Sequence, residues 1–395
     1  MPATSATLEA EWSLLLTACS EIPTQEKPAR LRRLLREPIR WKLLFDMAER
    51  HGTQPLLYQA LVEIDLELED AVPREQISLI EQSYQTNLHK ALFLSRELIR
   101  IVDRMSALGI EVMPYKGLAL AELIYGDIAL RQAGDIDLLI HPQHLPRIRD
   151  AVQELGYTPH LKLSEPQERA YLQSGYEYAF DGEAGPNLLE VQWAIHPRFY
   201  AIDFEMQELF RRAITVTVAG HPMRTPSPED LLLVLSAHAA KHVWGRLVWL
   251  CDIARLMSLP TLNWNWIATQ AQALGIVRIL RVTMFLANRL LSTVIPPAAQ
   301  ASLPEETATA AVTISLANEI QTHLATESAY NVESSDYFRL MMRLRERPAD
   351  RRRFLQRLIF TPGPSEWQAV RLPEPLFPLY RLVRLSRLAA RLVRS

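Results

Sequence analysis

Residues 110–140 read IEVMPYKGLALAELIYGDIALRQAGDIDLLI, and the order of residue types in this stretch decides the fold. The apolar run Ile110–Tyr115 suits a short strand, and it breaks at Lys116-Gly117 into a pattern with Leu118, Leu120, Ala121 and Ile124 at helical spacing. A strand, a glycine turn and a helix are therefore predicted in that order. A second strand is predicted from Asp135 to Ile140, with Asp135 and Asp137 two residues apart. Strand side chains alternate between faces, so the two carboxylates project to one side. They repel one another unless something positive lies between them, and a divalent cation held through oxygen is the usual answer.

Outward from this stretch, His141-Pro142 opens a helix to Leu155, and Gly156-Tyr157 turns into a short strand. Two more strands are predicted at Tyr176–Phe180 and Leu188–Trp193, joined as a hairpin by the turn-rich Asp181–Asn187. The second of these carries Glu190 between apolar neighbours, where a carboxylate is costly unless it faces a cleft filled by solvent or metal. Glu190 is the third candidate carboxylate.

Helical patterns fill both flanks. Leu8–Ala18, Trp41–Leu66 and Glu75–Leu108 have apolar residues at helical spacing, the last with breaks near Asn87 and Gly109. Ser227-Pro228-Glu229-Asp230 is a helix start, with a capping hydroxyl, proline in the first turn and acids beside it. The reading is α+β: a small mixed β-sheet core at 106–225 between an N-terminal helical region, 1–105, and a C-terminal helical domain, 226–395, that ends in a basic amphipathic tail. His238 and His242 share a helix face, but the segment lacks the glutamate of the metalloprotease pattern and places Lys241 beside them, which argues against zinc. With Trp244, Arg246, Trp249 and Asp252 they are expected to form a polar and aromatic seam against the sheet.

At 395 residues, with 48% hydrophobic and 22% charged, the chain is globular and long enough for more than one core. The net charge of −2 gives no general affinity for nucleic acid, yet it conceals an asymmetry. From Arg343 onward there are 13 arginines, no lysine and 4 acids, a charge of +9 against −11 for the rest. In the final helix Arg384, Arg387, Arg391 and Arg394 collect on one side, with Leu382, Leu385, Leu388 and Leu392 on the other. Either the helix docks by its leucines with its basic face in water, or it lies on an anionic surface: membrane, nucleic acid or acidic protein. Two cysteines, Cys19 and Cys251, without metal spacing suit a reducing compartment, and no signal peptide or transmembrane run is visible, so a cytoplasmic location is expected.

Asp135, Asp137 and Glu190 on neighbouring strands suit two Mg²⁺ (or Mn²⁺) ions clamping the reacting phosphate of a nucleoside triphosphate. Lys116 and the amides after Gly117, at a helix start, suit the triphosphate itself, with Arg131 as a further positive contact. Lys116-Gly117 with Leu120, Tyr125, Arg131 and Asp135-Ile136-Asp137-Leu138-Leu139, then Glu190-Val191-Gln192-Trp193, resembles the uncharacterised bacterial nucleotidyltransferase family of the polymerase-beta-like superfamily. The later run Glu229-Asp230-Leu231-Leu232, His238, Lys241-His242, Arg246-Leu247, Trp249-Leu250 and Asp252 is similar to that family too. The resemblance implies a mixed sheet flanked by helices and transfer of a nucleoside monophosphate, from ATP or another triphosphate, to a hydroxyl-bearing acceptor with release of pyrophosphate. A small molecule, a peptide or protein, or tRNA would each serve as acceptor. Two departures stand out: Leu118 follows Gly117 where the superfamily has serine or glycine, and Gln192 stands where related sequences have histidine. The alternative is a catalytically inactive nucleotide-binding or scaffold protein on the same fold.

Overall fold

The computed structural model describes residues 9–22, 26–67, 72–183, 185–304, 307–326 and 334–394. Leu8, Ala184 and Ser395, which the sequence reading assigns to a helix, a turn and the final helix, lie outside them. Five strands, β1 (Val112–Pro114), β2 (Ile136–Ile140), β3 (Thr158–Pro159), β4 (Glu177–Gly182) and β5 (Gly185–Gln192), form one sheet in the order β1-β2-β5-β4-β3. β2 and β5 run parallel, whereas β1–β2, β5–β4 and β4–β3 are antiparallel. The protein is a mixed α+β structure with a small mixed sheet.

Register sorts the sheet into two faces. Asp137 pairs with Glu190, Leu139 with Gln192, and Gln192 in turn with Glu177. Residues directly opposite one another point the same way, so Asp137, Glu190, Gln192 and Glu177 share a face. The alternate residues Ile136, Leu138, Ile140, Tyr178, Phe180, Leu189 and Val191 form the other face. They pack on Leu98, Ile101 and Met105 of the Arg74–Ala107 helix and on Ile148 and Val152 of the Leu145–Glu154 helix. Burying each large apolar side chain contributes ~1.5–3 kcal/mol, so this apolar face pins the register that gathers the acids on its opposite side.

Three local readings are corrected. The long helix runs unbroken through Asn87, whose side-chain amide is buried and donates to the Ala129 carbonyl at 2.8 Å, so a poor helix former is retained for a tertiary contact. A helix at Glu165–Ser174 was not expected, although the Ser164 amide donates to Gln167 Oε1 at 3.0 Å in the Ser-x-x-Gln pattern of a helix start. A separate hairpin of β6 (Ile214–Val218) and β7 (His221–Thr225) was also not expected, and Val216, Val218 and Met223 join the sheet-side core.

The other core is helical and draws on both ends of the chain. Leu14, Leu44, Leu57 and Leu61 pack in one cluster with Leu231, Leu235, Trp244, Leu250, Leu280 and Leu291. The Glu21 amide donates to the Leu291 carbonyl at 3.0 Å, and Cys19 and Cys251 are both free and buried. The Pro228–Lys241 helix begins as its sequence dictates, Ser227 Oγ accepting from the Asp230 amide at 3.3 Å. Among the described residues no helix is long and apolar enough to cross a membrane.

The Tyr380–Arg394 helix packs the opposite way to its leucine-docked reading. Arg384 donates to Glu366 Oε2 at 3.3 Å and to the Leu358 carbonyl at 2.5 Å, and Arg387 reaches Glu366 and the Ser365 carbonyl. Leu382 and Leu385 face outward, 61% and 38% exposed. Buried Glu366 is the reason: a carboxylate under the helix draws Arg384 and Arg387 inward and leaves Leu382 and Leu385 uncovered, while Leu388 is partly buried.

Candidate active site

Lys116 and Gly117 occupy the turn between β1 and the Gly117–Tyr125 helix, with Lys116 as the residue that precedes the first turn. Gly117 has φ +52°, and a Cβ there would lie 3.4 Å from the Asp135 carbonyl oxygen and 3.7 Å from the Ala133 Cβ. Only glycine takes this left-handed conformation without strain, and it lets the turn lie close against the backbone leading into β2. Lys116 is thereby set over the acidic face, its Nζ 3.0 Å from Asp137 Oδ1 and 4.7 Å from the centre of the Tyr115 ring. Burial opposes its charge, but Asp137, Tyr115 and Glu190 together hold the ammonium above its ordinary range.

Gln192 is the hub of the acidic face. Its Nε2 donates to Asp137 Oδ1 at 3.1 Å and Glu190 Oε2 at 2.9 Å, with Glu177 Oε2 at 3.4 Å, while its Oε1 accepts from Tyr115 Oη at 2.6 Å. A neutral amide thus links three carboxylates. Burial, then the neighbouring Asp137 charge, pushes Asp135 up to about 6. The same two causes, with Glu177 added, push Glu190 up to about 8. Glu177 is raised as well, by burial. Sequence reasoning missed Glu177, although the alternation Tyr176-Glu177-Tyr178-Ala179-Phe180 sets it on the side away from Tyr178 and Phe180.

Helices after the sheet complete the site. Lys241 Nζ lies 3.1 Å from Tyr176 Oη and 4.6 Å from the centre of its ring. Burial, only partly opposed by Glu177, brings Lys241 down to about 8. His238, His242 and Trp249 form a ring cluster with centroids 4.8–5.5 Å apart. Burial keeps both histidines neutral, His242 at about 3 and His238 well below its usual value. The turn after this helix holds Val243 at φ 53° and Trp244 at φ 49°, secured by the Trp244 Nε1 bond to Thr283 Oγ1 at 3.0 Å. Such residues are costly, and their persistence beside Lys241 shows how firmly the packing fixes this turn.

Arg131, expected to contact the triphosphate, is paired with Asp252 in the structure. Its Nε donates to Asp252 Oδ1 at 3.0 Å and its Nη2 to Asp252 Oδ2 at 2.9 Å, and Tyr125 Oη donates to the same Oδ1 at 2.9 Å. Both charged groups are buried, so this fork bolts the segment before β2 to the Leu247–Met257 helix. Asp252 lies 121 residues from Arg131 in the chain, which only folding overcomes.

Asp135, Asp137, Glu177 and Glu190 lie in the field of two ammonium groups, Lys116 and Lys241, and Lys90 and Arg131 act on Asp135 as well. Among the described residues no group of three or more His, Cys, Asp or Glu side chains is arranged to hold a metal ion, and Lys116 and Gln192 are the donors at Asp137. The donor chemistry nonetheless fits a hard divalent cation: carboxylate oxygens, with Asp137 and Glu190 side by side on paired strands.

A mixed sheet with paired carboxylates, beside a lysine-glycine turn that opens a helix, places the protein among the nucleotidyltransferases. The chain belongs to the family described as uncharacterised nucleotidyltransferase, whose sequence model matches residues 37–292. A search of curated proteins finds no match. Among solved structures, the chain is similar to the antibiotic-resistance factor ANT(2'')-Ia, with 15% identity, a TM-score of 0.29, and coverage of 61% of this chain and 96% of that one. It is also similar to an antigenic nucleotidyltransferase-like protein from Paracoccidioides brasiliensis, with 19% identity, a TM-score of 0.31, and coverage of 52% and 95% respectively.

Proposed function

We propose that the protein transfers a nucleoside monophosphate from a nucleoside triphosphate to a hydroxyl-bearing acceptor, with Asp135, Asp137 and Glu190 holding Mg²⁺ or Mn²⁺. The observation that supports this most is the pairing of Asp137 with Glu190 across β2 and β5, with Lys116 Nζ 3.0 Å from Asp137. A divalent cation bound by these oxygens supplies charge stabilisation to the phosphate under attack and to the departing pyrophosphate. Lys116 and the first amides of the Gly117–Tyr125 helix bind the triphosphate, since an ammonium and a helix N-terminus both favour anions. The acceptor oxygen attacks the α-phosphorus, the bond from that phosphorus to the bridging oxygen breaks, and pyrophosphate carries away the electron pair. With the cation bound, Glu190 would be ionised, and its carboxylate would take the proton released by the acceptor hydroxyl. Gln192 and Tyr115 keep the carboxylates oriented.

The test is incubation with each α-labelled nucleoside triphosphate, Mg²⁺ or Mn²⁺, and separate fractions of small molecules, protein and tRNA. Transfer by the wild type and its loss in Asp137→Asn are expected, with Glu190→Gln slowed by about a hundredfold to ten-thousandfold. The labelled fraction identifies the acceptor class. Metal-dependent nucleotide binding without transfer to any fraction would support the inactive-scaffold alternative.

A further inference from the structure

The inverted packing of the last helix leaves an apolar surface. Six of the ten exposed large hydrophobic side chains among the described residues fall in one stretch: Phe360, Val370, Leu376, Leu379, Leu382 and Leu385. The last four are spaced by three across the junction of the Glu374–Leu379 3-10 turn and the Tyr380–Arg394 helix. That spacing repeats once per turn in the first element and nearly so in the second, so they make a stripe. Ser386, Ala389 and Ala390, also exposed, extend the outward side with small residues.

Arginines border the stripe. Arg381 is exposed at the start of the helix, and exposed Arg371 is held beside it because Tyr380 Oη donates to the Val370 carbonyl at 3.0 Å and accepts from the Leu372 amide at 3.1 Å. Arg381 also lines a cleft of about 610 Å³ with Arg198, Arg357, Phe360, Phe377 and Tyr380. In that cleft Arg357 is balanced by Asp203 at 2.6 Å, whereas among the described residues Arg198 donates to the Gln173 carbonyl at a long 3.4 Å. Glu374, the acid nearest the stripe in sequence, is tied to Arg169 at 2.8 Å.

We propose that this face, residues 370–390 with the arginine-lined cleft beside it, docks on an anionic lipid bilayer. The leucines enter the apolar side of the headgroup boundary, while Arg371, Arg381 and Arg198 meet lipid phosphates. Charge selects this occupant over a second copy of the chain: an isologous contact through the stripe would set Arg371 and Arg381 of one copy against those of the other. It also makes the attachment reversible, because its electrostatic part is screened by salt.

Flotation of the full chain with vesicles of phosphatidylcholine alone, or of phosphatidylcholine mixed with phosphatidylglycerol, tests the proposal. Binding to the mixed vesicles at low salt, release at high salt and no binding to phosphatidylcholine alone are expected. Arg371→Glu and Arg381→Glu should each weaken binding by at least about fivefold. Leu382→Asp/Leu385→Asp should abolish it without changing the urea midpoint, since both side chains face water. Absence of binding, equal binding to both vesicle types, or full binding by the leucine variant overturns the proposal. So does a salt-insensitive dimer, seen by sedimentation and lost in the leucine variant, which would assign the stripe to a second copy.

Discussion

Removing Asp252 would separate a structural arginine from a substrate-binding one. Asp252 is 0% exposed and Arg131 6%, and Asp252 accepts from Arg131 Nε and Nη2 and from Tyr125 Oη. Asp252→Ala leaves a buried guanidinium without its counter-charge, a class of change that costs about 3–5 kcal/mol. Against a total stability of about 5–15 kcal/mol this is a large fraction, and the urea midpoint should fall by about 1–2 M. The double variant Arg131→Met/Asp252→Leu replaces both charges by apolar groups and should recover most of that loss, giving a coupling energy of a few kcal/mol in the cycle. Arg131→Lys discriminates further: one ammonium cannot reproduce the two parallel bonds, so the midpoint drops even without nucleotide. The assay is urea unfolding followed by circular dichroism, with and without triphosphate. A loss below about 1 kcal/mol for Asp252→Ala, or single-variant losses that simply add in the double variant, would refute the strut. An unchanged midpoint in Arg131→Lys with weakened nucleotide binding would return Arg131 to the phosphate.

Three further outcomes are expected. Lys116→Met should raise the KM for the triphosphate by about tenfold or more, as loss of a charge-assisted contact predicts, with Lys116→Arg retaining part of the affinity; steady-state kinetics decides this. Gly117→Ala should cost about 1–2 kcal/mol in urea unfolding because of its φ of +52°, whereas Gly363→Ala, with no atom near its Cβ, should cost less. Burial, with Arg50 and Arg246 nearby, lowers His51 from its ordinary 6.5 to about 4. Its depressed pKa means the unfolded chain binds the proton more readily. Stability from this group is therefore complete above pH 6.5 and falls by about 3 kcal/mol as the pH drops through 4, and His51→Gln should flatten that acid limb in pH-dependent melts.

Local chemistry made much of the site legible. Alternation put Glu190 and Asp137 on strands, the lysine-glycine break marked a helix start, and Ser227-Pro228 announced the helix that delivers Lys241. Each signal lies within a few residues of the structure it specifies, where backbone sterics and hydrogen bonding act directly. Glu177 was equally within reach, since its strand has the same alternation, but its flanking tyrosines gave no hint of a polar cleft.

What only the tertiary structure decided depends on partners distant in sequence. The parallel pairing that sets Asp137 against Glu190, the capture of Arg131 by Asp252 and the link from Gln192 to Tyr115 join residues 53, 121 and 77 positions apart. The last helix shows the limit most sharply. Its sequence determined two faces, one of leucine and one of arginine, but not which would turn inward; the buried carboxylate of Glu366 reversed the direction that hydrophobicity alone would choose. Periodicity fixes which residues share a face, and the charge and shape of whatever lies beneath determine where that face points.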